Sequence, residues 1–137
     1  MNLDNNGELE SSIDIFSNAS FNLKFSATVD GSLFITTTDG IIYNDNLEDL
    51  GLLDDSFGNF FFFEDFAFST DGTKAYSANN TFLEVRQYGL PERTVEKNYV
   101  YSYFMSRIFF DENNLLFIGN INDFTGNKTI IEVVPID

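Results

Sequence analysis

Short runs of apolar residues, many alternating with polar ones, are broken throughout the chain by Gly, Asp and Asn. Ser12-Ile13-Asp14-Ile15 alternates as a half-buried strand does. No segment combines apolar spacing of 3.6 residues with helix caps, so the pattern predicts strands and no helices. The breaks recur. Asp30-Gly31, Asp71-Gly72 and Glu112-Asn113 follow one another at intervals of 41 residues. Gly and Asn accept the positive φ of a tight turn, and an acidic residue before them suits the same turn. Ahead of the turns, Ala27, Phe68 and Phe109 correspond. Behind them, Ile35, Tyr76 and Phe117 correspond. Each turn is expected to join two strands with matching apolar positions.

A third strand repeats as well. TFLEV at residues 81–85 matches TIIEV at residues 129–133, an offset of 48 rather than 41. The third unit therefore carries about seven extra residues, within 121–127. In the first unit Ile41, Ile42 and Tyr43 follow the turn Asp39-Gly40. A fourth strand follows Gly89-Leu90-Pro91 and spans residues 93–103. Stepping back from Gly89 by two periods reaches Gly7, so residues 8–16 read as the fourth strand of a preceding unit. The run Phe60-Phe61-Phe62-Phe63 falls at a handover between units and reads as a strand buried on both faces.

Four short strands at a period near 41 residues make the pattern of a β-propeller blade. The fold class is then all-β, with about three four-stranded antiparallel blades. The expected divisions are 1–20 (an outer strand of a permuted blade), 21–62, 63–104 and 105–137, the last lacking its outer strand. Within the middle unit, FAFSTDGTKAYSAN at residues 66–79 resembles the YVTN-type, bacterial WD40-like propeller repeat. That repeat has an innermost strand, an Asp-Gly turn, an aromatic-led strand ending in Asn, and a Val-rich third strand. YSAN at 76–79 and FIGN at 117–120 carry it; ITTT at 35–38 departs from it by lacking the Asn. The resemblance spans roughly residues 24–136.

Rings of this kind usually hold four to eight blades. Three blades alone leave two apolar faces open, and such faces mark interfaces. One expectation is a homodimer closing a six-bladed ring, with residues 8–16 of each chain completing the last blade of the other. The alternatives are a piece of a longer propeller, or a shortened chain whose first strand finishes its own last blade.

Composition narrows the function classes. The hydrophobic share of 43% is ordinary for a folded domain, whereas Phe is overused, at 17 residues, and lets a thin sheet keep a solid interior. The net charge of −15 argues against nucleic acid and against anionic membrane surfaces. It leaves solubility, a basic partner or a cation as its reading. The chain has no Cys and no His, so thiolate chemistry, disulfides and the commonest acid–base residue and metal ligand are missing. No apolar run approaches a membrane span, and residues 1–10 are too acidic and polar for a signal peptide. Localisation stays open: cytoplasmic for a complete chain, secreted or periplasmic for a fragment.

Ligands of propellers usually sit at the mouth of the central channel. The innermost strands are expected to begin near Lys24, Asp65 and Ser106. The candidate ligand-binding set at that mouth is Asp39, Glu64, Asp65, Asn79, Tyr103, Arg107, Asn122 and Asp123. Asn122 and Asp123 enter through the insertion, which reads either as a ligand contact or as a solvated loop. Arg107 stands where the other units carry Phe25 and Phe66. Such a charge either holds a ligand carboxylate or pairs with Glu64 or Asp65.

Adjacent carboxylates, Glu64-Asp65 and Asp54-Asp55, point to opposite faces of a strand and so cannot flank one glycosidic bond. No catalytic residue is assigned. Some proteins that resemble this repeat are lactonases whose site chemistry is expected to need His, absent here. No cofactor is expected. Calcium stays open, with oxygen-rich clusters at Asp45, Asn46, Glu48 and Asp49 and at Asp4, Asn5 and Asn6, neither with the spacing of an EF-hand loop. The leading function is a non-catalytic binding or scaffolding module. The alternatives are a fragment of a larger, hydrolase-type (lactonase-like) propeller enzyme and a shortened product without activity of its own.

Overall fold

The computed structural model describes residues 24–37, 40–53 and 63–136, together with the backbone of residues 2–3 and 9–11; of Asp123 it describes the backbone alone. The described residues form thirteen strands and no helix. β1 (Asn2–Leu3) and β2 (Leu9–Ser11) form an antiparallel pair. The first large sheet contains β3 (Phe25–Ala27), β4 (Leu33–Thr36), β5 (Ile41–Asn44) and β6 (Asp49–Leu52) in sequence order. The second contains β7 (Asp65–Phe68), β8 (Lys74–Asn79), β9 (Glu84–Gly89) and β10 (Thr94–Val100). The third contains β11 (Phe104–Asp111), β12 (Asn114–Asp123) and β13 (Gly126–Pro135). Each sheet is an antiparallel meander, and β3 and β11 both lie against β7.

Two interleaved cores hold the sheets together. Ile35 and Ile42 of the first sheet pack with Phe66, Phe68, Ala75 and Tyr88 of the second. On the opposite face of the second sheet, Ala67, Tyr76, Ala78 and Val85 pack with Met105, Ile108, Leu115 and Phe117 of the third. Alternation along each strand assigns these side chains to one face or the other. Each large side chain buried in this way contributes roughly 1.5–3 kcal/mol.

The turns between the first two strands of sheets one and two share one design. In the first, Asp30 Oδ1 accepts the Thr28 hydroxyl at 2.7 Å, the Ser32 hydroxyl at 2.8 Å and the Ser32 N–H at 3.0 Å. In the second, Asp71 Oδ1 accepts the Ser69 hydroxyl at 2.7 Å, the Thr73 hydroxyl at 2.8 Å and the Thr73 N–H at 3.0 Å. Gly31 and Gly72 take φ of 72° and 69°, which a side chain would strain. These hydrogen bonds hold both carboxyls down at about 2, the hydroxyls of Thr28 and Ser69 being the largest cause.

The third turn is different, and it changes the correspondence between units. Phe110 stands one period after Ser69, so the hydroxyl that anchors the carboxylate is missing. Asp111 pairs directly with Asn114, leaving a two-residue turn in which Glu112 takes φ 50°. Ser106 forms a bulge, since Met105 opposes Gly119 while Arg107 opposes Ile118. The ladders then align Phe66–Ser77–Arg86 with Ile108–Phe117–Glu132. Hence Ile108, not Arg107, takes the place of Phe66, and Phe110, not Phe109, takes that of Phe68. Burial agrees: Ile108 and Phe66 are buried, whereas Phe109 is 42% exposed. The expected matches of Phe109 with Phe68 and of Phe117 with Tyr76 are therefore off by one position.

The extra residues of the third unit also differ from expectation. They form no loop. They lengthen the β12–β13 hairpin by four pairs, from Asn120↔Thr129 to Asp123↔Gly126, ending in the turn Phe124-Thr125. Ile131, rather than Val133, occupies the place of Val85. At the other end of the chain, Leu9–Ser11 pairs with Asn2–Leu3, whereas the sequence suggested an outer strand for a last unit. The remainder of residues 8–16, and Phe60 to Phe62, lie outside the described residues.

The Asp71 turn makes a testable prediction. Its folded-state pKa is depressed, so its contribution is complete above about pH 4, the unfolded value, and is lost as pH falls toward 2. Asp71→Asn should lower the melting temperature at pH 7 by roughly 5 °C and by clearly less at pH 2, where the carboxyl is about half protonated. Melts at both pH values check this; an equal loss at both would mean the carboxylate charge is irrelevant to the turn.

Candidate functional site

The three innermost strands bring charged residues together where they begin. Lys24, Asp65 and Arg107 occupy equivalent positions in the three ladders. The Lys24 ammonium donates to Glu64 Oε1 at 2.8 Å, to the Glu64 carbonyl at 3.0 Å and to the Ser106 carbonyl at 3.0 Å. All three of its protons are used, and one side chain ties the three sheets. Ser106 is available because the bulge frees its carbonyl from the ladder.

Asp65 is the buried charge of this end, its side chain only 2% exposed. Its Oδ2 accepts from Arg107 Nε at 2.8 Å and from the Ile108 N–H at 3.0 Å. Arg107 is half-exposed and also lies over the Phe109 ring, with 5.1 Å to the centroid. Of the two roles expected for Arg107, the structure builds the internal pair with Asp65.

Asn80 completes the link between the second and third sheets. Its Nδ2 donates to the Met105 carbonyl at 2.8 Å, and its Oδ1 accepts the Met105 N–H at 2.7 Å. The amide side chain thus imitates one residue of a neighbouring strand. The Tyr101 hydroxyl donates to the Asn79 carbonyl at 2.9 Å, and burial raises its pKa. Gly119 has no room for a side chain, because a Cβ there would meet the Tyr103 ring and the Phe104 carbonyl.

The expected site residues divide accordingly. Glu64, Asp65 and Arg107 meet at the start of the innermost strands, and each is engaged by a neighbour. Asn79 is buried, its Oδ1 accepting the Thr81 and Phe82 N–H groups to shape the β8–β9 turn. Tyr103 is buried, donates to Glu132 at 2.8 Å, and is raised in pKa by burial first and by Glu132 second. Asn122 and Asp123 stand near the tip of the long hairpin, on strand rather than loop. Asp39 lies outside the described residues. In the oxygen-rich cluster, Asn44 Oδ1 accepts the Asn46 and Glu48 N–H groups, and Asp49 Oδ1 accepts that of Gly51. Among the described residues no three metal-ligating side chains converge.

Two clefts open toward the other end, each between neighbouring sheets. One, of about 450 Å³, is lined by Asp71, Lys74, Tyr76, Phe110, Glu112 and Ile136. The Tyr76 hydroxyl is buried there without a hydrogen-bond partner among the described residues, and burial raises its pKa. The other, of about 460 Å³, lies between the first and second sheets and is mostly apolar.

Solved structures with the same arrangement decide the architecture. Hydrazine synthase of Kuenenia stuttgartiensis matches with TM-score 0.62 at 13% identity, over 87% of this chain and 36% of that one. The β-propeller domain of Myceliophteria thermophila Cps50 (Swd1) matches with TM-score 0.56 at 11% identity, over 85% and 42%. These sheets are β-propeller blades. U3-55K matches as well, with TM-score 0.55 at 11% identity, over 78% and 35%. The chain spans about two fifths of each of these proteins or less, and the likeness is one of fold. No family model matches the sequence, and no curated protein matches it.

The buried pair between blades two and three predicts an asymmetry. Arg107→Ala leaves the Asp65 carboxylate buried with one N–H partner and should cost about 3 kcal/mol. Asp65→Asn leaves a half-exposed guanidinium that water can solvate and should cost about 1–2 kcal/mol. The double variant should be no worse than Arg107→Ala. Urea unfolding of the three proteins measures this. Equal costs for the singles, adding in the double, would show that the two side chains do not interact.

Proposed function

We propose that this chain is a non-catalytic propeller module that binds or scaffolds by offering the outer face of its third blade to another blade. The observation that carries the reading is the identity of that face. Phe109, Leu116, Ile118, Ile131 and Val133 occupy the positions of Ala67, Tyr76, Ala78, Val85 and Gln87 in the second blade. In the second blade this face is covered by the third, and Val85 is 0% exposed. In the third blade Ile131 is 67% and Val133 56% exposed. A contiguous apolar face of this kind favours an interface.

The kind of surface that fits is given by the molecule itself. The first blade's Ile35 face is covered by the opposite kind of face, carrying Phe66, Phe68, Ala75 and Tyr88. The first blade carries Phe25, Ala27, Phe34 and Tyr43 at those positions, Phe25 being 70% exposed and Tyr43 buried. Two copies arranged head to tail, third blade on first, then close a six-bladed ring. The charged groups at the inner end support a structural rather than a catalytic role, since Lys24, Glu64, Asp65 and Arg107 are engaged in ties between blades. The YVTN-type character of the middle blade belongs to this proposal too, resting on FAFSTDGTKAYSAN at residues 66–79.

A second reading is favoured by the extent of the match. Because the chain spans about two fifths of its structural neighbours, the same face is also suited to the next blade of a longer propeller, including a hydrolase-type enzyme.

Light scattering at micromolar concentration separates the readings. The dimer reading expects twice the 15.6 kDa monomer mass, falling to 15.6 kDa when Ile131 and Val133 are both changed to Asp. A soluble wild-type monomer that does not associate at 100 µM contradicts the dimer and leaves the longer propeller.

A further inference from the structure

The second cleft, between the first and second blades, lies away from the open face of the third. Its walls are Leu33 and Ile42 of the first blade, Leu50 of β6, and Leu90 and Pro91 after β9. Arg93 supplies its one basic group. The chain has seven basic residues against 22 acidic ones. Lys24, Lys74, Arg86 and Arg107 are paired with carboxylates, and Lys97 lies over the Tyr99 ring. Arg93 makes no ion pair among the described residues. In so acidic a protein, a guanidinium at an apolar cleft with no carboxylate partner among the described residues stands out.

Its position is built by the backbone. Gly51 takes φ 103°, and a Cβ there would approach Arg93 Nη1 to 2.7 Å. The guanidinium therefore lies close over a bare glycine. Arg93 itself takes φ 62°, and its N–H donates to the Gly89 carbonyl at 2.7 Å, which fixes where the side chain departs. The result is a cleft of about 460 Å³ with apolar walls and one cationic end, a size suited to a small molecule.

We propose that this cleft binds a monocarboxylate with a compact apolar body. The planar guanidinium fork matches a carboxylate, and the Leu, Ile and Pro walls take the hydrocarbon. A single negative charge suits the single guanidinium lining this cleft, whereas the overall charge of −15 disfavours dianions and polyanions. An apolar ammonium would meet Arg93 as a like charge.

The test is a two-dimensional amide NMR titration of the intact chain with hexanoate, with hexylammonium as the opposite-charge control. Hexanoate should shift the amides of Ile42, Leu50 and Leu90 saturably, with a Kd of about 1 mM or tighter. Arg93→Gln should weaken it at least tenfold, with Arg93→Lys falling between, and hexylammonium should not saturate. Arg93→Lys keeps the charge and guards against misreading a folding defect in Arg93→Gln. The proposal is overturned by any one of three results: no saturable hexanoate shift up to about 20 mM, equal binding by folded Arg93→Gln, or equal binding of hexylammonium.

Discussion

A sheet that is apolar on both faces has to be covered on both, and alternation along the strand decides which residues face which neighbour. That constraint governs this molecule. The second blade satisfies it fully, with the first blade on its Phe66 face and the third on its Tyr76 face. The third blade packs one face on the second and leaves Ile131 and Val133 of the other exposed, and the first blade packs its Ile35 face on the second. Lys24 and Asp65 then fix how the innermost strands sit beside one another, because both reach across blades with charges that are buried or half-buried. The polar inner end and the apolar faces are thus two parts of one device. The faces supply the burial, and the ion pairs set the register between sheets.

Much of the fold was legible. The strand pattern, the period of 41 and the Asp-Gly turns pointed to blades, and all three large sheets follow that order. The third unit was harder, for a local reason. Aligning Glu112-Asn113 with Asp71-Gly72 assumes turns of equal length, but the third turn is two residues shorter between its paired strands. A signal was present in Phe110, which stands where Thr28 and Ser69 supply the anchoring hydroxyl. Without that hydroxyl the carboxylate-centred turn cannot form. The bulge at Ser106 left no comparable mark in the sequence.

The inner end was partly legible. A charge on an innermost strand asks for a partner, which led to Arg107 and to Asp65 or Glu64. The role of Lys24 was missed, although it stands one period before Asp65. The paired contact of Asn80 with the Met105 backbone was also missed, because a side chain standing in for a strand residue depends on three-dimensional proximity alone. Asn122 and Asp123 went to a hairpin tip, since added residues can extend a ladder as readily as they can form a loop.

The central claim is that the third blade turns Ile108, Phe110 and Phe117 toward the second blade, one position away from the 41-residue alignment. Proton–proton NOEs between aromatic side chains test it most directly. The Tyr76 and Phe110 rings are stacked with centroids 5.7 Å apart, and the Phe117 ring meets Tyr101 edge-on at 6.4 Å. The account predicts NOEs from Tyr76 to Phe110 and from Tyr101 to Phe117. NOEs from Tyr76 to Phe109 or Leu116 in their place would contradict it.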